Sequence, residues 1–175
     1  MFRGCTGLTT IPSNLLPTTT LKTYCYAYMF YDCSNITNIP NLPATTLQNY
    51  CYQYMFYGCT SLVHLPSGLF SNLTTLGTYC CRYMFYGCTA LIDLVDLDPT
   101  SLKSNCFHSM FSGCSSIKLS TTQVDDYQTA YRIPSSGTGT TATNALTNMF
   151  TNTGGTFTGT PAINTTYYTS NTVIS

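Results

Sequence analysis

Residues 51–59 read CYQYMFYGC, and this nine-residue block with a cysteine at each end has three close relatives elsewhere in the chain. The relatives are CYAYMFYDC at 25–33, CCRYMFYGC at 80–88 and CFHSMFSGC at 106–114. Counted from Met1 through the methionine of each block to Met149, the spacings are 28, 26, 29, 26 and 39 residues. A period of this length is typical of a protein built from stacked units, which we number one to six by these methionines.

Other residue types recur in register with the block. In four units leucine stands eight residues before the methionine and threonine ten residues before it. Nine of the ten cysteines fall into two columns, four residues before or four residues after the methionine. The columns are Cys25, Cys51, Cys80 and Cys106 before it, and Cys5, Cys33, Cys59, Cys88 and Cys114 after it. Each residue type therefore has a fixed place in the unit.

The half of the unit that leads to the methionine is predicted to be a helix. Leu47, Cys51 and Met55 stand four residues apart, with Tyr50 and Tyr54 beside them, which makes one apolar stripe at helical spacing. The recurrent threonine stands where an N-cap is expected. The residues expected to take the left-handed conformation that ends the helix are Gly4, Asp32, Gly58, Gly87 and Gly113.

The half that follows the block is predicted to be a short strand, because CTSLVHLP at 59–66 is apolar at fixed places and closed by proline. One helix and one short parallel strand in each unit of 26–29 residues define an α/β solenoid, the right-handed coil of leucine-rich repeats. We expect these repeats over residues 1–120. Residues 121–147 would be an irregular loop or degenerate unit, and residues 148–175 a Thr-rich, β-rich C-terminal cap or extended tail.

Two segments carry a resemblance to a known family. NLPATTLQNYCYQYMFYGCTSL and MFYGCTSLVHLP, which overlap within residues 41–66, resemble the BspA-type leucine-rich repeats of bacterial surface proteins. The family has Ala-Phe before its conserved cysteine, whereas this chain has Met-Phe, a longer unit and a second cysteine, as in a long variant from gut bacteria and their phages. The resemblance covers roughly residues 1–120. It implies a curved solenoid on a surface that adheres to host or partner molecules, and it supplies no catalytic residues.

Three roles are open for the cysteine columns. Packing ladders of buried free thiols are favoured, because a column faces the same way in every unit and free cysteine is among the most buried residue types. Disulfides between units come second, since parallel neighbours suit the disulfide torsion poorly and one column has an odd number of members. Metal binding is least favoured, because the C-x7-C spacing is not that of a zinc site. We therefore expect no metal and no cofactor.

Two surfaces are candidates for binding. The first is the concave sheet of the predicted solenoid, the usual partner surface of such folds. Its candidate residues are Thr37, Asn38, Val63, His64, Ile92 and Asp93. The second is a row formed by Tyr31, Tyr57 and Tyr86, which would either stack on sugars or pack between units, with packing favoured.

Catalysis and calcium binding are not expected. His64 and Asp93 lie in adjacent units of one column, but no Ser or Cys nucleophile shares that column, so the chain is not expected to be an enzyme. Asp93, Asp96 and Asp98 are spaced unlike an EF-hand loop, and a solvated turn is favoured there.

Composition narrows the partners and the location. The chain has six basic and six acidic residues and no basic cluster, so neither nucleic acid nor an anionic membrane is an expected partner. No apolar run approaches the 18 residues that membrane insertion requires. Roughly one residue in five is threonine, and an uncharged, hydroxyl-rich surface is typical of extracellular, cell-surface or virion-surface proteins.

The first unit starts at its methionine, so Met1, Phe2 and Leu8 are expected to form an apolar end face that self-association or a longer chain covers. The Thr-rich tail after Gly154 is the expected donor of strands to another copy.

Two functions follow from these expectations. The favoured one is adhesion to, or recognition of, a protein or carbohydrate partner on a bacterial cell or phage virion. The alternative is a structural subunit of an extracellular filament or virion decoration assembled through the solenoid ends.

Overall fold

The computed structural model describes residues 1–174, so Ser175, the last residue of the predicted C-terminal cap, lies outside the described part. Six short strands are present in it. They are β1 (Leu94–Val95), β2 (Lys118–Ser120), β3 (Thr129–Arg132), β4 (Gly154–Gly155), β5 (Thr166–Thr169) and β6 (Val173–Ile174). β1 pairs in parallel with β6, and the other four strands form a sheet in the order β3-β5-β2-β4.

The predicted α/β solenoid is wrong. Residues 1–174 contain no helix, and their strands form two small sheets without a closed or solenoid arrangement. Of the strands expected once per unit, the first 120 residues contain β1 and β2 alone. The expected concave sheet of leucine-rich repeats is therefore not formed.

The segments predicted to be helices are ribbons of tight turns. In the second unit, alternate amides donate to the carbonyl three residues earlier, as Ala27 does to Tyr24 at 3.2 Å. The amides between them donate to the following unit, as Tyr26 does to the carbonyl of Cys51 at 3.0 Å. An amide used in either way is not available for the bond to the fourth preceding carbonyl that defines an α-helix.

Every fourth residue of a ribbon has a left-handed backbone. In the third unit φ is 60° at Tyr50, 55° at Tyr54 and 69° at Gly58. Such a conformation costs a non-glycine residue roughly 1–2 kcal/mol, which the bonds to the next unit offset. The left-handed conformation predicted for Gly4, Asp32, Gly58, Gly87 and Gly113 is confirmed, although these residues end no helix.

The recurrent threonines cap no helix in the described chain. Thr74 donates to the carbonyl of Thr45 from its amide at 2.9 Å and from its hydroxyl at 3.1 Å. In the next column, Thr20, Thr46 and Thr75 form successive parallel bridges from one unit to the next. Both columns therefore take part in links between neighbouring units, where an N-cap was predicted for the first.

The core consists of equivalent side chains stacked unit on unit. Phe2, Phe30, Phe56, Phe85, Phe111 and Phe150 form one stack with ring centroids 5.4 to 5.8 Å apart. Phe56 and Phe85, in the middle of the stack, are fully buried. Because this stack runs through all six units, it fixes the spacing of the exposed side chains above it.

The C-terminal segment pairs within its own chain. β5 lies between β2 and β3 and is antiparallel to both, and β6 pairs with β1. Both edges of β5 are therefore occupied within this chain. Among the described residues, none lies in a helix that is long and apolar enough to cross a membrane.

Candidate binding surface

Three rows of tyrosines run across units two to four. The rows are Tyr24, Tyr50 and Tyr79; Tyr28, Tyr54 and Tyr83; and Tyr31, Tyr57 and Tyr86. Each ring lies flat on its neighbour in the adjacent unit, with centroids 4.5 to 4.9 Å apart and planes within 3 to 16° of parallel. All nine rings are exposed or half-buried. We call these nine residues the tyrosine face.

Contacts within each unit join the rows. Tyr54 and Tyr57 approach each other at 5.8 Å with tilted planes, and Tyr83 and Tyr86 approach at 5.6 Å edge to face. Tyr50 and Tyr54 both stand at left-handed positions of the same turn ribbon, four residues apart. The rings are therefore ordered in two directions, along the rows by stacking and across them by tilted contacts.

Two arginines lie on this face. The Arg3 guanidinium is 4.5 Å from the centroid of Tyr31, and that of Arg82 is 4.8 Å from the centroid of Tyr83. Each such contact contributes about 0.5–1 kcal/mol at an exposed site. Burial raises the pKa of Tyr54 and Tyr57, so their hydroxyls are neutral at physiological pH. The tyrosine face therefore presents neutral hydroxyl groups and aromatic rings, with the guanidiniums of Arg3 and Arg82 lying over its rings.

The tyrosine rows end at a groove in units five and six. Ser109 and Ser112 replace tyrosine in unit five, and Asn148 and Thr151 replace it in unit six. The groove has a volume of about 440 Å³, and Tyr86, Ser112 and Thr151 are among the residues that line it. We call it the end groove.

The end groove results from side-chain size, since the backbone continues unchanged beneath it. The amide of Gly87 donates to the carbonyl of Ser112 at 2.8 Å, and the amide of Gly113 donates to the carbonyl of Thr151 at 2.8 Å. The buried phenylalanine stack also continues below, at 5.6 and 5.8 Å spacing. Sequence analysis did not predict this groove, although the change from Tyr86 to serine in unit five was visible.

The residues predicted for a concave sheet are brought together as backbone partners. Asn38 accepts from the Ile11 amide at 3.0 Å and donates to the Ile11 carbonyl at 2.7 Å. The Thr37 hydroxyl donates to the carbonyl of Thr9 at 3.1 Å. Val63 is exposed, and Ile92 is half-buried. The polar groups of Asn38 and Thr37 thus form hydrogen bonds between units, which leaves few of them free to bind a ligand.

His64 and Asp93 do meet in space. The Asp93 carboxylate lies 3.2 Å from His64 Nδ1, and it also accepts from the Leu65 amide at 2.8 Å. Asp93 is 3 % exposed, whereas His64 projects into solvent. Because the carboxylate bonds to a backbone amide, its first role is to join units three and four, as Asn38 joins units one and two.

The cysteine column after the methionine forms a regular set of hydrogen bonds that sequence analysis missed. The Cys59 thiol donates to the Phe30 carbonyl at 3.4 Å, and the Cys114 thiol donates to the Phe85 carbonyl at 3.0 Å. All ten cysteines are free; eight are buried, and Cys5 and Cys25 are exposed. Burial raises the pKa of the Cys59 and Cys114 thiols. Within residues 1–174, no three His, Cys, Asp or Glu side chains are grouped to hold a metal ion.

Comparison with protein families, with curated proteins and with solved structures gives no match to this chain. The chemistry of the tyrosine face and the end groove is therefore the basis on which a function is assigned. Within a row the ring faces cover one another, so the surface presents ring edges and hydroxyls, and the serine and asparagine side chains beside them add uncharged hydrogen-bonding groups.

Proposed function

We propose that this chain is a non-enzymatic recognition module that binds a carbohydrate or protein partner through the tyrosine face. The observation that carries the proposal is the set of nine stacked tyrosines, open to solvent, in three rows across three units. An exposed aromatic patch of this kind marks an interaction site, because soluble proteins seldom leave large apolar surfaces without a use.

The tyrosine rings are held in fixed positions before a partner arrives, which favours binding. Tyrosine supplies a large contact area and a polar tip while losing little side-chain entropy, which is why it is enriched in binding sites. On the tyrosine face, stacking at 4.7 Å already fixes Tyr57 against Tyr86. A partner therefore does not bear the cost of ordering these side chains, which is roughly 0.5–1.5 kcal/mol for each mobile side chain at an interface.

The charge of the surface favours a neutral partner. Arg3 and Arg82 lie over tyrosine rings, and the chain as a whole has zero net charge. A surface that binds single-stranded nucleic acid combines aromatic rings with a basic groove that follows the phosphates. Sugars present hydroxyl groups and apolar C–H faces without charge, which matches the hydroxyl-bearing rings of the tyrosine face.

The proposed location is the surface of a bacterial cell or phage virion. The composition supports it, because a chain with 7 % charged residues and many threonines presents hydroxyls to solvent in place of charges. The resemblance of the cysteine-bounded block to BspA-type repeats supports the same location. The neutral tyrosine face is consistent with a partner found outside the cell, such as a polysaccharide.

The test is binding of the purified chain to an array of immobilised neutral and acidic polysaccharides and cell-surface proteins. Tyr57→Ala removes the central ring of one row, and Tyr127→Ala removes a half-buried tyrosine outside the tyrosine face. We expect Tyr57→Ala to weaken binding about tenfold or more, since truncating an aromatic residue at the centre of an interface costs roughly 2 kcal/mol or more. Tyr127→Ala should bind as the unmodified chain does. Equal binding by all three proteins would contradict the proposal.

A structural subunit of a filament or virion decoration is the second candidate function. It is favoured by an apolar hollow of about 120 Å³ whose lining includes Phe2, Leu8 and Leu15. We propose that a second copy or a longer chain covers this hollow. Sedimentation velocity tests it, since a charge at Leu15, as in Leu15→Lys, should dissociate an assembly. A chain that sediments as a monomer with and without this substitution would rule out the second copy.

A further inference from the structure

We propose that the end groove holds one uncharged pyranose ring, which stacks on the open face of Tyr86 as the next ring of its row. This inference rests on the proposed function and makes it more specific. It assigns a place for a single sugar unit, whereas the tyrosine face as a whole would contact a longer chain.

Tyr86 has one free face. Its other face lies on Tyr57 with planes 3° apart, and Tyr83 meets it edge to face. In residues 1–174 no further aromatic ring and no guanidinium lies over Tyr86. The open side of this ring is therefore a flat apolar surface that faces the end groove.

Tyr83, the other ring at this edge, is differently placed. The Arg82 guanidinium lies 4.8 Å from its centroid, and the ring of His108 meets it edge to face at 5.4 Å. Its hydroxyl also lies 3.4 Å from His108 Nε2. These contacts hold Tyr83 in position, so it forms a fixed wall of the groove while Tyr86 provides the stacking surface.

Unit five leaves room for one ring directly beside Tyr86, and unit six also lacks a ring in this column. Unit five, which carries Ser112, lies between unit four with Tyr86 and unit six with Thr151, as the amide bonds from Gly87 and Gly113 show. In earlier units the same column carries rings 4.6 and 4.7 Å apart. Serine in place of tyrosine therefore leaves a space for one ring. The volume of about 440 Å³ lies in the range of small-ligand sites, roughly 300–1,000 Å³.

The polar groups of the groove suit hydroxyls. Its lining contains the hydroxyls of Ser109, Ser112 and Thr151 and the carboxamides of Asn148 and Asn152, with no charged side chain. None of these five side chains is hydrogen-bonded within the part of the chain that the structure describes. A pyranose has an apolar C–H face for the Tyr86 ring, whose face is electron-rich, and hydroxyls around its rim for these donors and acceptors.

A nucleobase would also stack on Tyr86, but its phosphates would need cations. No lysine or arginine lines the groove. Burial, together with the positive charge of Arg82, lowers the pKa of His108, so this neighbour is neutral at physiological pH. The groove thus favours an uncharged ring, and nucleoside binding is an outcome that the experiment must distinguish.

The test uses saturation-transfer NMR with a panel of methyl pyranosides and, separately, adenosine. We expect at least one methyl pyranoside to receive saturation, strongest at the protons of one ring face. Ser112→Tyr should abolish the transfer by filling the space, and Tyr86→Ala should abolish it by removing the stacking surface. Tyr86→Phe should retain it, because the ring remains. Each variant is first checked for an unchanged melting temperature, and Tyr86→Ala decides the matter if Ser112→Tyr does not fold.

Three results would overturn the inference. They are the absence of transfer to every pyranoside, transfer that survives Ser112→Tyr and Tyr86→Ala, and transfer to adenosine in preference to the sugars. Polysaccharide binding that fails in Tyr57→Ala but persists in Ser112→Tyr and Tyr86→Ala would place the site elsewhere on the tyrosine face. In that case the proposed function stands and the groove assignment fails.

Discussion

The Cys88 thiol donates a hydrogen bond to the carbonyl of Phe56, in the preceding unit, at 3.2 Å. Both residues are fully buried, and the same pair of positions is joined in the neighbouring units. This contact gives the cysteine column a physical role, because each thiol fills a small space in the core and binds a carbonyl of the preceding unit.

Cys88→Ala should therefore destabilise the chain. It removes a hydrogen bond worth about 0.5–1.5 kcal/mol and leaves a small cavity, so we expect the free energy of unfolding to fall by about 1–3 kcal/mol. Urea unfolding followed by circular dichroism measures the change. Cys25→Ala, at an exposed column position, is the matched control and should stay within about 0.5 kcal/mol of the unmodified chain. Equal effects of the two substitutions would refute the role of the contact.

The ten thiols should differ in reactivity. The thiolate is the reactive form, and burial raises the pKa of Cys59, Cys88 and Cys114. Ellman's reagent should titrate two thiols rapidly in the native chain, Cys5 and Cys25, and all ten after denaturation without reductant. The double substitution Cys5→Ser with Cys25→Ser should remove the rapid phase. A denatured, unreduced chain with no titratable thiol would instead indicate disulfides.

The same shift predicts a loss of stability in alkali. The pKa of the Cys59 and Cys114 thiols is raised on folding from 9.0, so the unfolded chain releases these protons first. The contribution of these two thiols to the free energy of unfolding is complete below pH 9. It is lost as the pH rises from there toward the folded pKa, by about 1.4 kcal/mol per pH unit for each thiol. Urea unfolding of Cys59→Ala across this range should show a shallower pH dependence than the unmodified chain. If Cys59→Ala leaves the pH dependence of the free energy of unfolding unchanged, the raised pKa of the Cys59 thiol would be contradicted.

The phenylalanine stack should be the main source of core stability. Phe85 lies between Phe56 and Phe111, at 5.8 and 5.6 Å, and Phe85→Ala should cost about 3–5 kcal/mol. Phe2 stacks on Phe30 alone and is half-buried, so Phe2→Ala should cost clearly less. Thermal unfolding of the two variants compares them. A melting temperature unchanged by Phe85→Ala would show that the column is not the core.

The sequence predicted the repeat and its buried columns but not the backbone conformation. A turn ribbon with a four-residue repeat places Leu47, Cys51 and Met55 on one side, as a helix does. The apolar pattern is therefore the same for both conformations, and helical propensity is a weak guide when each amide has a partner in the next unit. A distinguishing signal was present in the last unit, where asparagine, which tolerates a positive φ, stands at 144, 148 and 152, but in units two to four tyrosine stands at the first two of these positions and gives no such signal.

The candidate site was predicted only in part. Tyr31, Tyr57 and Tyr86 were named from their column, whereas Tyr50 and Tyr54 were placed in the apolar stripe of a predicted helix. The ribbon brings all three rows to one surface. The end groove results from the absence of rings at Ser109 and Ser112. Serine at these two positions indicates a groove only when it is known that the units stack in register.

Hydroxyl-radical footprinting with mass spectrometry tests the central claim most directly, with the chain free and bound to a partner that it retains on the array. The chain has 15 tyrosines and no tryptophan, so tyrosine oxidation reports on the tyrosine face and on control positions in one experiment. The proposed function predicts that the partner protects Tyr31, Tyr57 and Tyr86 while Tyr127 is oxidised as before. Unchanged oxidation of the tyrosine face, with protection confined to other parts of the chain, would contradict it.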